Sequence, residues 1–309
     1  MGEKRPVVTI ADMSPGLQLI AALFCVVVVF VVAYPVLLLA GRLSGVDLNA
    51  MSDALGGTGA SVWSLKYLQL VQHISLFILP VMVWSAISGE GVAGYTGLNI
   101  APASEHIVLV ILIALLLIPV NSFSSYLNLS LELPGWLSGT EEWMQQKEEQ
   151  GELLTSLLIR SESIISLLAN LLVLAVIPAI GEELFFRGML QKLLRAVIGW
   201  PHLTVFITAI IFSSLHFQFY GFLPRFLLGL VYGYLFLWSG TVWLPALAHF
   251  INNAVPVVLS YFYGWDVISE SSVELAAERP IFPVVSFMAL LLLMVYAAKV
   301  LRAKRDKET

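Results

Sequence analysis

The stretch that decides the reading runs Pro178-Ala179-Ile180-Gly181-Glu182-Glu183-Leu184-Phe185-Phe186-Arg187-Gly188. Residues 163–180 carry no charge, and Leu184, Phe185, Phe186, Met189 and Leu190 continue the apolar pattern beyond the glutamates. In a bilayer each such carboxylate costs about 2.5–3.5 kcal/mol unless paired or hydrated, so an acidic pair here marks function by default. A plainer reading makes the charges the cytoplasmic edge of a span. Glu183 and Arg187 then form an i,i+4 ion pair, and Glu182 is left without a partner in the local sequence.

The rest of the chain makes the setting a membrane. Of 309 residues, 59% are hydrophobic and 12% are charged, and the mean hydropathy is +0.88. A soluble domain carries about 25% charged residues, so a water-soluble globule is excluded, and disorder with it. The lone Cys25, inside an apolar run, excludes a disulfide scaffold. A net charge of -5 argues against nucleic acid as a partner. The expected fold class is all-α: one polytopic integral membrane domain, 1–309, of about eight transmembrane helices with the site inside the bundle. A span needs roughly 20 apolar residues, and the candidates are 16–40, 68–89, 107–128, 163–195, 200–221, 225–240, 243–263 and 281–298.

Charge orients these spans. Ten of the 16 basic residues, among them Lys4, Arg5, Lys192, Arg195 and the run from Lys299 to Lys307, fall on one side when both termini are cytoplasmic. The first span is too long and too polar at its front for a signal peptide. Neither end carries a lipidation box. The longest hydrophilic stretch, 132–162, begins a helix near Thr140. Its Trp143, Met144, Leu153, Leu154 and Leu157 suggest an interfacial face on the outer side. Asn128-Leu129-Ser130 matches a glycosylation triplet, a common pattern.

Geometry gives Glu182 company. Gly199-Trp200-Pro201 is the turn between spans four and five; Glu182 lies 17 residues before Gly199 and His216 lies 17 after. In antiparallel helices both then sit roughly 25 Å from the turn. His249, nine residues beyond Gly240, is expected in the same layer, with Asn253 on its face; Phe212 shares a face with His216. A carboxylate facing an imidazole can deprotonate water, and a second histidine with an amide can stabilise an oxyanion. Those parts suffice for amide hydrolysis. No Gly-x-Ser-x-Gly elbow is present, and Ser213 and Ser214 read as small packing residues. Glu182, His216 and His249 also form a zinc-compatible set, although no His-Glu-x-x-His pair exists. His73 and His106 read as packing or interface histidines, and His202 as exposed. Phe217, Phe219, Tyr220 and Phe222 read as an interfacial belt, with Trp238 and Trp243 at the cytoplasmic interface.

At these residues the chain resembles the CAAX-protease and bacteriocin-processing (CPBP, or Abi) intramembrane proteases. Their Glu-Glu-x-x-x-Arg motif matches Glu182, Glu183 and Arg187; Phe-x-x-x-His matches Phe212 and His216; His-x-x-x-Asn matches His249 and Asn253. The matching core covers 178–256. The resemblance implies an intramembrane endopeptidase in which Glu182 and His216 activate water, His249 and Asn253 stabilise the oxyanion, and Glu183 and Arg187 support Glu182. It implies a membrane-bound or lipidated protein or peptide substrate, in contact with membrane lipids. Relatives are described both as metalloproteases and as metal-free glutamate proteases, so zinc remains a candidate cofactor. A prokaryotic inner membrane is favoured over a eukaryotic internal one. Two other readings stay open: a non-catalytic immunity or scaffold protein of the same fold, and a proton-coupled transporter using Glu182, His216 and His249 as a relay.

Overall fold

The computed structural model describes residues 10–131 and 133–308. Lys4 and Arg5, and the side chains of Lys304, Arg305 and Lys307, lie outside the described residues, so that part of the orientation argument has no structural counterpart. Among the described residues there is no strand. Ten helices carry the fold: α1 (Pro15–Leu43), α2 (Val62–Ile87), α3 (Ser104–Leu129), α4 (Ser138–Ile159), α5 (Ile164–Ile198), α6 (Pro201–Ser214), α7 (Phe222–Ser239), α8 (Trp243–Tyr263), α9 (Trp265–Glu278) and α10 (Ile281–Glu308).

Seven of the described helices, α1, α2, α3, α5, α7, α8 and α10, are long and apolar enough to cross a bilayer. The chain is an all-α, multi-pass integral membrane protein. The expected fifth span, 200–221, is corrected: α6 has 14 residues. That is about 21 Å of helix against a hydrocarbon core of about 30 Å. The helix stops because Ser213 Oγ donates to the Phe222 carbonyl at 2.6 Å and Phe217 takes a left-handed φ of 52°. His216 therefore sits in a turn rather than on a helix. The hydrophilic stretch does form a helix, α4, and a further helix, α9, occupies the connection between the last two expected spans.

Among the described residues, burial gathers the bundle into two smaller clusters and two large cores. One joins α1, α2, α5, α6 and α7 around Trp84, Phe186, Met189 and Phe212. The other joins α3, α7, α8 and α10 around Ile113, Leu117, Tyr232 and Leu244. α7 contributes to both. α1 is peripheral: it buries only Ala22, Val26 and Gly41, and turns Phe24, Val31 and Val32 outward, as a lipid-facing helix does. Gly41 lets Tyr67 close against it, and the Tyr67 hydroxyl donates to the Leu37 carbonyl at 2.7 Å.

α5 is the central element. Ser163 opens it with a reciprocal capping box to Ser166. Two π-helical stretches, Leu171–Val176 and Leu184–Gln191, flank the α-helical segment Ile177–Glu183. Each π turn inserts a residue and rotates the face that follows, a device common at functional sites. Pro178 enters at the first turn of the middle segment, next to the π stretch that absorbs its missing donor.

The connection between α2 and α3 is pinned to the turn between α7 and α8. Thr241 Oγ1 donates to the Ile100 carbonyl and Trp243 Nε1 to the Leu98 carbonyl, both at 2.9 Å. Gly97 has φ 78°, and a Cβ on it would collide with the Gly240 carbonyl oxygen. Gly89 has φ 83° with open space around it. A left-handed alanine alone costs about 1–2 kcal/mol. Gly97→Ala is therefore expected to lower the melting temperature in detergent well beyond Gly89→Ala; equal shifts would mean the close approach contributes nothing.

Candidate active site

Four helices and one turn bring the ionisable residues together. Glu183 and Arg187 are fully buried. Glu183 Oε1 accepts from Arg187 at 3.0 Å and from His249 Nδ1 at 2.9 Å. Arg187 also donates to the Gly229 carbonyl on α7 at 3.1 Å. Its guanidinium lies 4.9 Å from the Phe212 ring centre and 5.5 Å from that of Tyr232. A buried cation needs this set of compensations: a carboxylate, a carbonyl and aromatic faces. His249 is stacked on Tyr232, rings 5.1 Å apart, and meets Phe212 edge-on at 6.0 Å. The carboxylate at Nδ1 thus fixes the ring and leaves Nε2 facing Glu182.

Glu182 is buried beside it. Its Oε1 is 3.1 Å from His73 Nε2. Its Oε2 is 4.0 Å from His249 Nε2 and has no hydrogen-bond partner among the described residues. That separation is too long for a direct hydrogen bond and suits a bridging water. His216 donates from Nδ1 to the Phe212 carbonyl at 2.9 Å, which leaves the lone pair on Nε2. Among the described residues no hydrogen bond or ion pair joins it to Glu182, whose partners are His73 and His249. Phe212 packs edge-on against His216 at 5.2 Å, so its ring touches both motif histidines. Asn253 lies one turn beyond His249 on α8, half-buried. It hydrogen-bonds none of the other site residues among those described.

His73 is the correction. The sequence reading makes it a packing histidine; in the structure it is the direct partner of Glu182. The available signal was Gln69, one turn earlier on an apolar helix. The Gln69 side-chain nitrogen lies 3.3 Å from His73 Nδ1, and the Gln69 carbonyl 3.0 Å from the same atom. No motif covers α2, and no local spacing ties it to Glu182, 109 residues away.

The turn carrying His216 is held from three sides. Asn128 on α3 donates to the Phe219 carbonyl at 3.0 Å and accepts from the Leu223 amide at 2.8 Å. The side chain of the glycosylation triplet is thus buried and structural. Arg225 on α7 donates to the Gln218 carbonyl at 3.0 Å. From α4, Trp143 packs on Phe219 at 5.1 Å, and Gly151 admits the Gln218 side chain. On the same helix, burial pushes the Glu148 carboxyl up, against the opposing pull of Arg225.

Among the described residues, no three His, Cys, Asp or Glu side chains are placed to hold a metal ion together. The zinc set Glu182, His216 and His249 does not form here. Zinc needs ligand atoms near 2.0–2.2 Å. Glu182 Oε1 is engaged by His73, and His216 is not gathered into one group with Glu182 and His249.

Removing one partner of a buried pair costs about 3–5 kcal/mol, because the other charge remains. Arg187→Met should destabilise the protein by that order in thermal unfolding. Glu183→Leu with Arg187→Met should regain part of the loss, while still freeing His249 Nδ1. If the single variant melts like the wild type, the pair has no structural weight.

Comparison with known proteins bears on this same segment. Residues 164–255 match the family described as type II CAAX prenyl endopeptidase Rce1-like. The uncharacterized protein YpbD of Bacillus subtilis (strain 168) is 33% identical over 94 residues, covering 28% of this chain and 43% of that protein. The chain thus spans less than half the length of this curated relative. No solved structure matches. The family match contains all the motif residues from Glu182 to Asn253 and is consistent with a CPBP or CAAX-protease family, whose activity is intramembrane endopeptidase.

Proposed function

We propose that this protein is an intramembrane endopeptidase that hydrolyses a peptide bond of a membrane-associated or lipidated protein or peptide. One observation carries the reading: buried Glu182 has one oxygen held by His73 and the other without a hydrogen bond among the described residues, facing His249 Nε2 at 4.0 Å. Water bound at Oε2, with the lone pair of His216 as a second acceptor, attacks the carbonyl carbon and gives its proton to the Glu182–His216 pair. The oxyanion accepts hydrogen bonds from His249 Nε2–H and the Asn253 amide. Glu183 stabilises the imidazolium that this requires, as a carboxylate behind a catalytic histidine does. The tetrahedral species then collapses: the C–N bond breaks and the stored proton passes to the departing amine.

His73 acts as a positioning residue. With Gln69 on Nδ1, its Nε2–H anchors Oε1 and aims Oε2 at the substrate. An apolar groove of about 290 Å³ between α5 and α8 is lined by Val176, Ala179, Ile180, Ala246 and Phe250, on the two helices that carry Glu183 and His249. It supports a substrate that arrives from the lipid phase. The charge bias supports cytoplasmic termini.

The primary test compares peptide termini in membranes of cells expressing wild type or Glu182→Ala at equal level. Termini found only with the wild type support a protease and identify its substrate; identical profiles with both proteins folded, and a native substrate present, shift the reading to a scaffold. On a substrate so found, Glu182→Gln should lose at least about 10²-fold in kcat, and His249→Gln about 10²–10³-fold. His73→Leu should lower kcat and move its pH profile at unchanged KM. His73→Gln, which keeps a donor to Glu182, should recover part of the rate; equal loss in both variants defeats the positioning role.

A further inference from the structure

A basic cavity lies away from the catalytic cluster, toward the ends of α5 and α10. Its volume is about 640 Å³, and it is bounded by Lys192 and Arg195 from α5, Arg302 from α10, and the first turn of α6 through His202 and Thr204. Three cations from two helices converge on it, and no Asp or Glu is among its lining residues. The first N–H groups of α6 lack partners inside the helix, so the positive end of its dipole faces the same space. The cations are only partly committed. Lys192 donates to the Tyr95 carbonyl and Arg195 to the Gly199 carbonyl. Arg302 lies over the Trp238 ring at 5.8 Å. Each guanidinium keeps further donors.

Gln191, 3% exposed, is part of the cavity wall, and its Nε2 donates to the Gly233 carbonyl at 3.0 Å. The side chain is thus tied to α7, and the cations dominate the field in the cavity, which suits a phosphate. The position of the cavity points the same way. It opens at the end of a bilayer-spanning helix, beside the exposed Trp200 and the Trp238 ring, the residue type that marks the headgroup level.

We propose that this cavity binds a phosphate group of the kind carried by an anionic lipid headgroup, neutralised by Lys192, Arg195 and Arg302. Such a group reaches the cavity either on a lipid or as a free phosphate ester, and the experiment separates the two with phosphatidylglycerol and glycerol 3-phosphate as probes. The full-length protein is reconstituted in nanodiscs of phosphatidylcholine with phosphatidylglycerol and released for native mass spectrometry; glycerol 3-phosphate is titrated separately against protein in neutral detergent. Arg195→Gln with Arg302→Gln is compared with Arg42→Gln plus Lys299→Gln, which removes two exposed cations that do not line the cavity.

The expected result is retention of phosphatidylglycerol over phosphatidylcholine by about tenfold or more, lost in the cavity variant and kept in the control. Binding of glycerol 3-phosphate with the same variant dependence, but without lipid retention, assigns the site to the soluble source. Equal retention of both lipids with no glycerol phosphate binding overturns the proposal. So does an equal loss in cavity variant and control, which reduces the effect to net charge. Both exchanged arginines are exposed, so the variants should melt near the wild type.

Discussion

A carboxylate with no access to solvent, inside a helix that crosses a membrane, forces its neighbours into place. Glu183 is that group. Its Oε1 serves Arg187 one turn away and His249 on a different helix. Arg187 in turn reaches the Gly229 carbonyl, between the rings of Phe212 and Tyr232. One negative charge thus fixes α5, α7 and α8 relative to one another and sets the end of α6. None of these contacts is strong because of distance alone. Each is strong because the alternative is an unpaired charge in a low-dielectric interior. Glu182, next in sequence, inherits a rigid frame and is left with one oxygen uncommitted.

The second half of the site is built differently. His216 stands in a turn, not on a helix, and the turn is held by groups from three other elements: Asn128, Arg225 and the α4 surface around Trp143 and Gly151. The acid side of the cluster is thus carried by long helices with buried ion pairs, while the imidazole of His216 depends on backbone carbonyl and amide contacts at a loop. Local opening concentrates where backbone is held by few buried contacts. Motion in this protein is therefore expected at the loop and α4 before it reaches Glu183.

Much of the cluster was legible in the sequence because charge in an apolar run is conspicuous. Glu182, Glu183 and Arg187 stand out against 163–180, and helical spacing joins Phe212 to His216 and His249 to Asn253. What spacing cannot give is which of two adjacent glutamates faces which histidine. Two π stretches within α5 shift the faces away from ideal periodicity. His73 was illegible for another reason: a single histidine on an apolar helix has no local partner to betray it, and its contact to Glu182 is purely tertiary. The expected length of α6 is too great because residues 215–221 carry no Asp, Glu, Lys or Arg and include Leu215, Phe217, Phe219 and Tyr220. Hydropathy does not register a hydrogen bond from Ser213 to Phe222 or a left-handed Phe217.

The shortness of α6 has a consequence for the lipid around it. Phe206 and Ile210 are exposed on its flank, yet the helix offers only 14 residues to the surrounding chains. Beside it, α5 offers 35 residues in one continuous helix. Lipid meeting the α6 flank faces a negative hydrophobic mismatch, which a bilayer relieves by thinning. An annulus thinned on one flank brings headgroups and water down toward the turn that bears His216. The bilayer itself then becomes part of the hydration path, and membrane thickness becomes a variable to which this protein responds.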